Sequence, residues 1–233
     1  MSAEEIVGAL DNALRTMGTD YLDVFHLHGV GPEEYDHAVE ELVPALLRER
    51  ERGKFRFLGI TEGTSRDLDH AMLTRALTDD FWDVLMVSFN MMHQGARAHV
   101  LPQARKRQVG TLIMAPARCL VSTPDRLAQA IRALAKEGIL PPVLGDAEDP
   151  LGFLMQDGGA DNLLDAAYRF ARHASGGDVV LFGTGDLGHL EANIASLLKP
   201  PLPQASTDRL TALFGQLTGV GLDQIRRNER MPA

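Results

Sequence analysis

The sequence predicts an α/β protein built on a parallel sheet. Strand-like apolar runs alternate with amphipathic helical segments five times. Most runs are continuously apolar, as expected when both faces of a strand are covered. No low-complexity linker divides the 233 residues, a length that suits one domain. The chain opens into a helix: Ser2 and Glu5 have capping-box spacing, and Ile6, Leu10, Ala13, Leu14 and Met17 share one face. Gly18 follows as its C-cap. YLDVFHLH, residues 21–28, is rich in β-branched and aromatic side chains and reads as a strand. A helix over 33–52 carries Val39, Leu42, Val43, Leu46 and Leu47 on one side and ends at Gly53, before the strand FRFLGI at 55–60. Next come a helix over 65–77 with Thr64 or Ser65 as N-cap, a strand at 83–89, a helix over 96–107 and a strand at 111–115. A helix starts after Thr123, with Pro124 in its first turn, where a missing N–H costs little. Residues 138–160, rich in Gly, Pro and Asp, read as a long loop. A helix over 161–173, a strand at 178–182 and helices over 187–198 and 206–216 follow. Residues 1–218 therefore form one domain, and the weakly patterned 219–233 a loosely ordered tail.

Composition narrows the partners. Hydrophobic residues make up 45% and charged residues 24%, ordinary for a soluble globular chain. A net charge of −9 argues against a broad footprint for nucleic acid or an anionic membrane. The single cysteine, Cys119, excludes an internal disulfide framework and fits a reducing, cytoplasmic setting. No apolar run approaches the roughly 20 residues of a membrane span, and the first residues are acidic where a signal peptide is basic.

Three strand ends carry candidate chemistry. In GTDYLDVFHLHG, residues 18–29, His28 closes a strand, where α/β folds place their sites. Its imidazole can donate to a carbonyl oxygen or move a proton; alternatively, His26 and His28 are two locally satisfied side chains on one strand face. A metal centre lacks a third ligand at suitable spacing, so no metal is expected. In GKFRFLGITEGTS, residues 53–65, Thr61 and Glu62 face the same mouth as His28 or belong to the cap of the next helix. In VVLFGTGDLGHLEANI, residues 179–194, Gly183 and Gly185 bare the backbone just before a helix start. That suits a phosphate, or else the segment is simply a tight turn. GTGDLG has the spelling of a dinucleotide fingerprint but follows the last strand, not the first.

Together, LRTMGTDYLDVFHLH, RGKFRFLGIT, SFN, a strand ending in Pro116, and LFGTG followed by HLEANI resemble the aldo-keto reductases in order and spacing, from residue 3 to about 216. The resemblance implies a (β/α)8 barrel that binds NADPH in extended form at its C-terminal face and passes a hydride to an aldehyde or ketone. A tyrosine serves as general acid, supported by a lysine and an aspartate, while a histidine orients the carbonyl. His28 matches that histidine. Thr61 stands where a serine helps hold the nicotinamide carboxamide; Glu62 replaces the neighbouring asparagine, and Met86 a glutamine. Gly183, Thr184 and Gly185 match the turn that receives the cofactor's phosphates, and Glu191 and Asn193 match residues at its adenine end. Asp186 lies near where a basic residue meets the 2′-phosphate. A carboxylate there repels that group, so the cofactor is read as NADPH or NADH.

The family's aspartate, tyrosine and lysine lie before the helix that opens these residues. The expected fold is therefore an incomplete TIM-type barrel of about five parallel strands, with inward-facing residues left exposed and edges open. A homo-oligomer or partner chain covering those edges is expected. The function implied is NAD(P)H-dependent reduction of a small carbonyl substrate, inactive or incomplete in this chain alone. The alternative is a non-catalytic nucleotide-binding or regulatory protein of the same descent. A third reading uses His28 with Glu62, Tyr35 or Cys119 for proton transfer without hydride chemistry; otherwise Tyr35 and Cys119 are packing residues.

Overall fold

A computed structural model describes residues 1–64, 66–117, 121, 123–157 and 159–220. Ser65, Cys119 and most of the expected tail, 221–233, lie outside the described residues. Five strands form one parallel sheet in the order of the chain, β1 to β5, with helices flanking it. By contacts the chain divides into two units, Met1–Val87 with Ala98–Leu112, and Ser88–Arg97 with Ile113–Ala233.

In the first unit, α1 (Ala3–Met17) has the capping box its sequence spells. Glu5 N–H donates to Ser2 Oγ at 3.2 Å, and Ser2 N–H donates to Glu5 Oε2 at 2.6 Å. Gly18 closes the helix at φ 64°. β1 (Leu22–Val30) pairs with β2 (Phe55–Glu62), and β2 with β3 (Val84–Ser88). Side chains alternate across these strands. Leu27, Leu58, Ile60 and Leu85 fill one fully buried face. The other carries Val24, His26, His28, Phe57, Val84 and Met86, all half-exposed or exposed. These are the positions a closed barrel turns inward, as expected for a sheet of five strands.

Three helices differ from their sequence patterns, each for a local reason. The stretch expected as one helix over 33–52 is a 3-10 turn (Pro32–Glu34), an α turn (Tyr35–His37), a π turn (Ala38–Leu42) and then α2 (Val43–Glu51). Pro44 has no N–H for the carbonyl four residues back, and the π turn absorbs the defect, with Val43 N–H reaching Ala38 O. The helix expected over 65–77 is only α3 (Ala71–Ala76). Its free N–H groups are met by the Asp67 carboxylate, which accepts from Ala71 and Met72 at 2.8 Å each, rather than by Thr64. The 96–107 helix breaks into a short turn (Ala96–His99) and α4 (Leu101–Arg107), where Pro102 removes another donor.

Tyr35 ties this unit together. It is 1% exposed; its hydroxyl donates to Asp79 Oδ2 at 2.5 Å and accepts from Trp82 Nε1 at 2.9 Å. The Arg75 guanidinium lies 4.9 Å from its ring centroid. Burial and the Asp79 carboxylate push the phenol above its ordinary range, so Tyr35 is a structural donor here rather than a free acid. Tyr35→Phe strands the Asp79 and Trp82 partners and is expected to cost about 1–3 kcal/mol, read by urea denaturation. A cost near zero would show that water takes over both bonds.

In the second unit, β4 (Gly110–Met114, its first residues in unit one) leads to α5 (Pro124–Lys136). The 138–160 region is not wholly irregular: it holds short helices at Pro142–Gly145 and Phe153–Gln156. α6 (Leu163–Arg172) starts at Asn162, whose side chain accepts Asp165 N–H at 2.9 Å, and its residues 165–171 are all buried. β5 shortens to Val179–Val180, although Leu181 N–H still donates to Ile113 O at 2.9 Å. α7 (Leu187–Leu198) exposes an apolar stripe of Leu187, Leu190, Ile194 and Leu198. α8 (Gln204–Phe214) buries Leu210 and Phe214. Among the described residues no helix is long and apolar enough to cross a membrane.

Candidate active site

The first cluster belongs to unit one, at the C-terminal ends of β1 and β2. The strands pair regularly up to Leu27 and Ile60, then shift so that Val30 meets Glu62. Two residues, His28 and Gly29, therefore oppose Thr61. Gly29, at φ 68°, takes the left-handed conformation that such a bulge uses. The shift leaves His28 exposed on the open face, with Thr61 on the same face beside it. Thr61 is 2% exposed, and its hydroxyl finds no hydrogen-bond partner among the described residues. A buried hydroxyl in that state marks a place for a polar group.

His26 lies two residues below His28, on the same face. Its ring packs on Gly59, where a Cβ would come within 2.3 Å of the ring. Burial, with the neighbouring His28, lowers its pKa, so His26 favours the neutral form. Glu62 does not share this face. Its carboxyl lies 2.8 Å from His70 Nδ1, both side chains being fully buried. The alternation that turns Thr61 toward the open face turns Glu62 away, so the two residues that the sequence placed at one mouth part company. Met86 stands opposite Thr61 in the register and offers a thioether there. Among the described residues no three His, Cys, Asp or Glu side chains converge as a metal site.

The second cluster belongs to unit two. Gly183, Thr184 and Gly185 run exposed from β5 into α7. Thr184 Oγ1 accepts Asp186 N–H at 3.1 Å, and Asp186 caps the helix by accepting His189 N–H at 2.8 Å. A Cβ at Gly183 or Gly185 would meet nothing within 4 Å, so their value is bare backbone rather than steric necessity. The Asp186 cap occupies one of the helix-start donors a phosphate could use and adds a negative charge beside the rest. Glu191 is exposed and Asn193 half-buried, one turn further on. Met114, Ala115, Pro116, Tyr168, Phe182 and Gly183 help line a cavity of about 290 Å³ at the ends of β4 and β5, the end where barrel enzymes hold ligands.

A nicotinamide dinucleotide is met in part. Within the first unit the orphaned Thr61 hydroxyl fits part of such a group, while Glu62, engaged with His70, and Met86 do not supply the amide contacts; within the second, taken by itself, the bare 183–185 backbone fits a phosphate. The pairing of Glu62 with His70 was not readable from sequence. It depends on His70 taking a left-handed backbone, φ 56°, at the end of a loop without periodicity.

Parallel strands followed by helices, with polar residues gathered at strand ends, define the TIM-barrel class of α/β fold, here with five strands. The profile of the Aldo/keto reductase family matches residues 1–214. The chain belongs to that family. L-galactose dehydrogenase of Arabidopsis thaliana is 29% identical over 115 residues, which are 49% of this chain and 36% of that protein. The chain thus aligns to little more than a third of that curated relative. Among solved structures, the holo form of aldo-keto reductase AKR11C1 from Bacillus halodurans superposes with a TM-score of 0.66 at 19% identity, covering 91% of this chain and 68% of that one. An aldo/keto reductase from Klebsiella pneumoniae in complex with NADP and acetate gives 0.61 at 18% identity, covering 90% and 64%. At these identities the structures support the fold alone.

Proposed function

We propose that these residues form the carbonyl-orienting and cofactor-phosphate portion of an NAD(P)H-dependent reductase of small carbonyl compounds. The observation that carries this reading is the buried, unpartnered Thr61 hydroxyl on the same face as the exposed His28. When bound, reduced nicotinamide supplies the hydride for the carbonyl carbon. His28 holds the carbonyl oxygen by donating a hydrogen bond, which favours the developing alkoxide. Thr61 fixes the carboxamide. The N–H groups from Gly183 to the start of α7 receive phosphate oxygens, with Glu191 and Asn193 toward the adenine end. The proton comes from a tyrosine on strands outside these residues, whichever polypeptide carries them. Those strands also cover the half-exposed inner face, and a homo-oligomer is the simplest alternative cover. The reducing cytosol is the compartment this chemistry and a single cysteine favour.

Calorimetric titration of the folded chain with NADPH and NADH tests the reading. Micromolar binding of either is expected, with NADH at least as tight because Asp186 opposes the 2′-phosphate. Asp186→Ser keeps an N-cap hydroxyl and removes the charge; it should improve NADPH binding about five- to tenfold over NADH, an effect of roughly 1 kcal/mol. A folded chain that binds neither cofactor sinks this reading and favours a non-catalytic regulatory protein, for which the Glu62–His70 pair in place of the family's amide already speaks.

A further inference from the structure

The second unit contains a cavity of about 220 Å³ that shares no residue with either cluster above. Arg97, Arg169, His173, Ser175, Gln204 and Thr207 supply its polar walls, and no carboxylate lines it. The two arginines differ. Arg169 donates to the carbonyls of Gly159, Pro200 and Pro201. Arg97 gives one bond, to Thr211 Oγ1 at 3.0 Å, and makes no ion pair among the described residues. Its guanidinium is held by two stacked rings, 4.9 Å from Phe170 and 5.7 Å from Phe89. A guanidinium has five N–H donors and stays charged; here it is half-buried and most of its donors are uncommitted. The nearby Asp208 carboxylate accepts from Gln204 Nε2 at 2.8 Å. A rigid, partly desolvated cation whose nearby carboxylate is itself engaged by an amide leaves room for a further anion to complete it.

We propose that this cavity binds a small tetrahedral oxyanion, either inorganic phosphate or the phosphate of a monoester. Arg97 grips two oxygens side by side. The Gln204, Thr207 and His173 side chains stand around the remainder; Gln204 Nε2 donates to Asp208 Oδ1 and the Thr207 hydroxyl to Gln204 O, and His173 Nε2 lies 2.9 Å from Lys199 O, so the anion engages them by displacing these bonds. The volume equals roughly seven waters at about 30 Å³ each, room for the anion and a short ester group.

The test is calorimetric titration of the full chain with sodium phosphate and with glycerol 3-phosphate, against chloride at matched ionic strength. Saturable binding is expected, weakened at least about tenfold by Arg97→Gln and unchanged by Arg132→Gln on the exposed side of α5. Gln204→Glu, at an exposed position, brings a carboxylate to the cavity and should abolish binding; it decides the matter if the Arg97 variant fails to fold. Equal affinity for the two probes identifies free phosphate as the ligand, and tighter binding of the ester a phosphate monoester. The proposal is overturned if folded wild type binds neither, if both cavity variants bind as wild type does, or if the site is altered by Asp186→Ser instead, which would place the anion at the 183–185 turn. Loss of nicotinamide binding leaves this outcome untouched, because no residue is shared.

Discussion

Replacing Arg169 with methionine is expected to lower the unfolding free energy by about 3–5 kcal/mol, the range for breaking a buried charge network from one side. Arg169 is 5% exposed. Its donors reach Pro200 O at 2.8 Å, Gly159 O at 3.0 Å and Pro201 O at 3.1 Å, and its Nη1 lies 3.4 Å from Asp165 Oδ2. The segment 199–203, KPPLP, explains the dependence. Three prolines remove three N–H donors, so these carbonyls cannot be satisfied by a regular ladder and take their donors from a side chain. Methionine fills much of the volume but donates nothing. Lysine keeps the charge but not the planar fork, so Arg169→Lys should fall between the two. A methionine cost below about 1 kcal/mol in urea titrations would mean that water satisfies these carbonyls unaided.

The same network predicts acid sensitivity. Burial pushes the Asp165 carboxyl up, but the Asp161 N–H, the Lys199 ammonium and the Ser196 hydroxyl outweigh it and hold the group below its ordinary range. A carboxyl depressed in the folded state stabilises the fold above its unfolded pKa. That contribution disappears as pH falls through the lower folded value, so it is present at neutral pH and lost in strong acid.

What the sequence revealed and what it hid follow a physical division. Features written in local spacing came through: the Ser2–Glu5 capping box, the Gly18 cap, the apolar strands and the bare GTG turn before α7. Features that depend on a single donor inside a pattern were blurred. Pro44 and Pro102 sit within helical periodicity, and periodicity does not register a missing N–H, so two helices expected as continuous are interrupted within about the expected bounds. Asp67 displaced the expected cap because a carboxylate can serve two N–H groups four and five residues ahead. The placement of His28 and Thr61 at strand ends on one face was legible from position in the strands. Glu62 was misplaced by one step of side-chain alternation, and Arg97 could not be seen, because its setting combines Phe89, Phe170 and Thr211 from separate segments.

Glu62 and His70 carry the other large expected effect, and the two substitutions should differ in kind. His70→Ala removes the Nδ1 partner 2.8 Å from a fully buried carboxyl and opens a cavity where an imidazole stood. Both losses act in the same direction, and about 3–4 kcal/mol of destabilisation is expected in urea titrations. Glu62→Gln is close to isosteric and keeps an oxygen for His70 to approach, so it should cost no more than about 1–2 kcal/mol. A reversed order, with Gln worse than Ala, would show that the carboxyl's charge rather than its shape and hydrogen bond holds the pair. The Gln variant also bears on the reductase reading. It restores an amide at the position where the family's asparagine stands, without moving the Thr61 hydroxyl on the opposite face. If the buried pair merely fixes the end of β2, cofactor affinity should match wild type. If Glu62 has been held away from a cofactor it would repel, the amide should raise affinity for both NADPH and NADH alike, unlike Asp186→Ser, which favours NADPH over NADH.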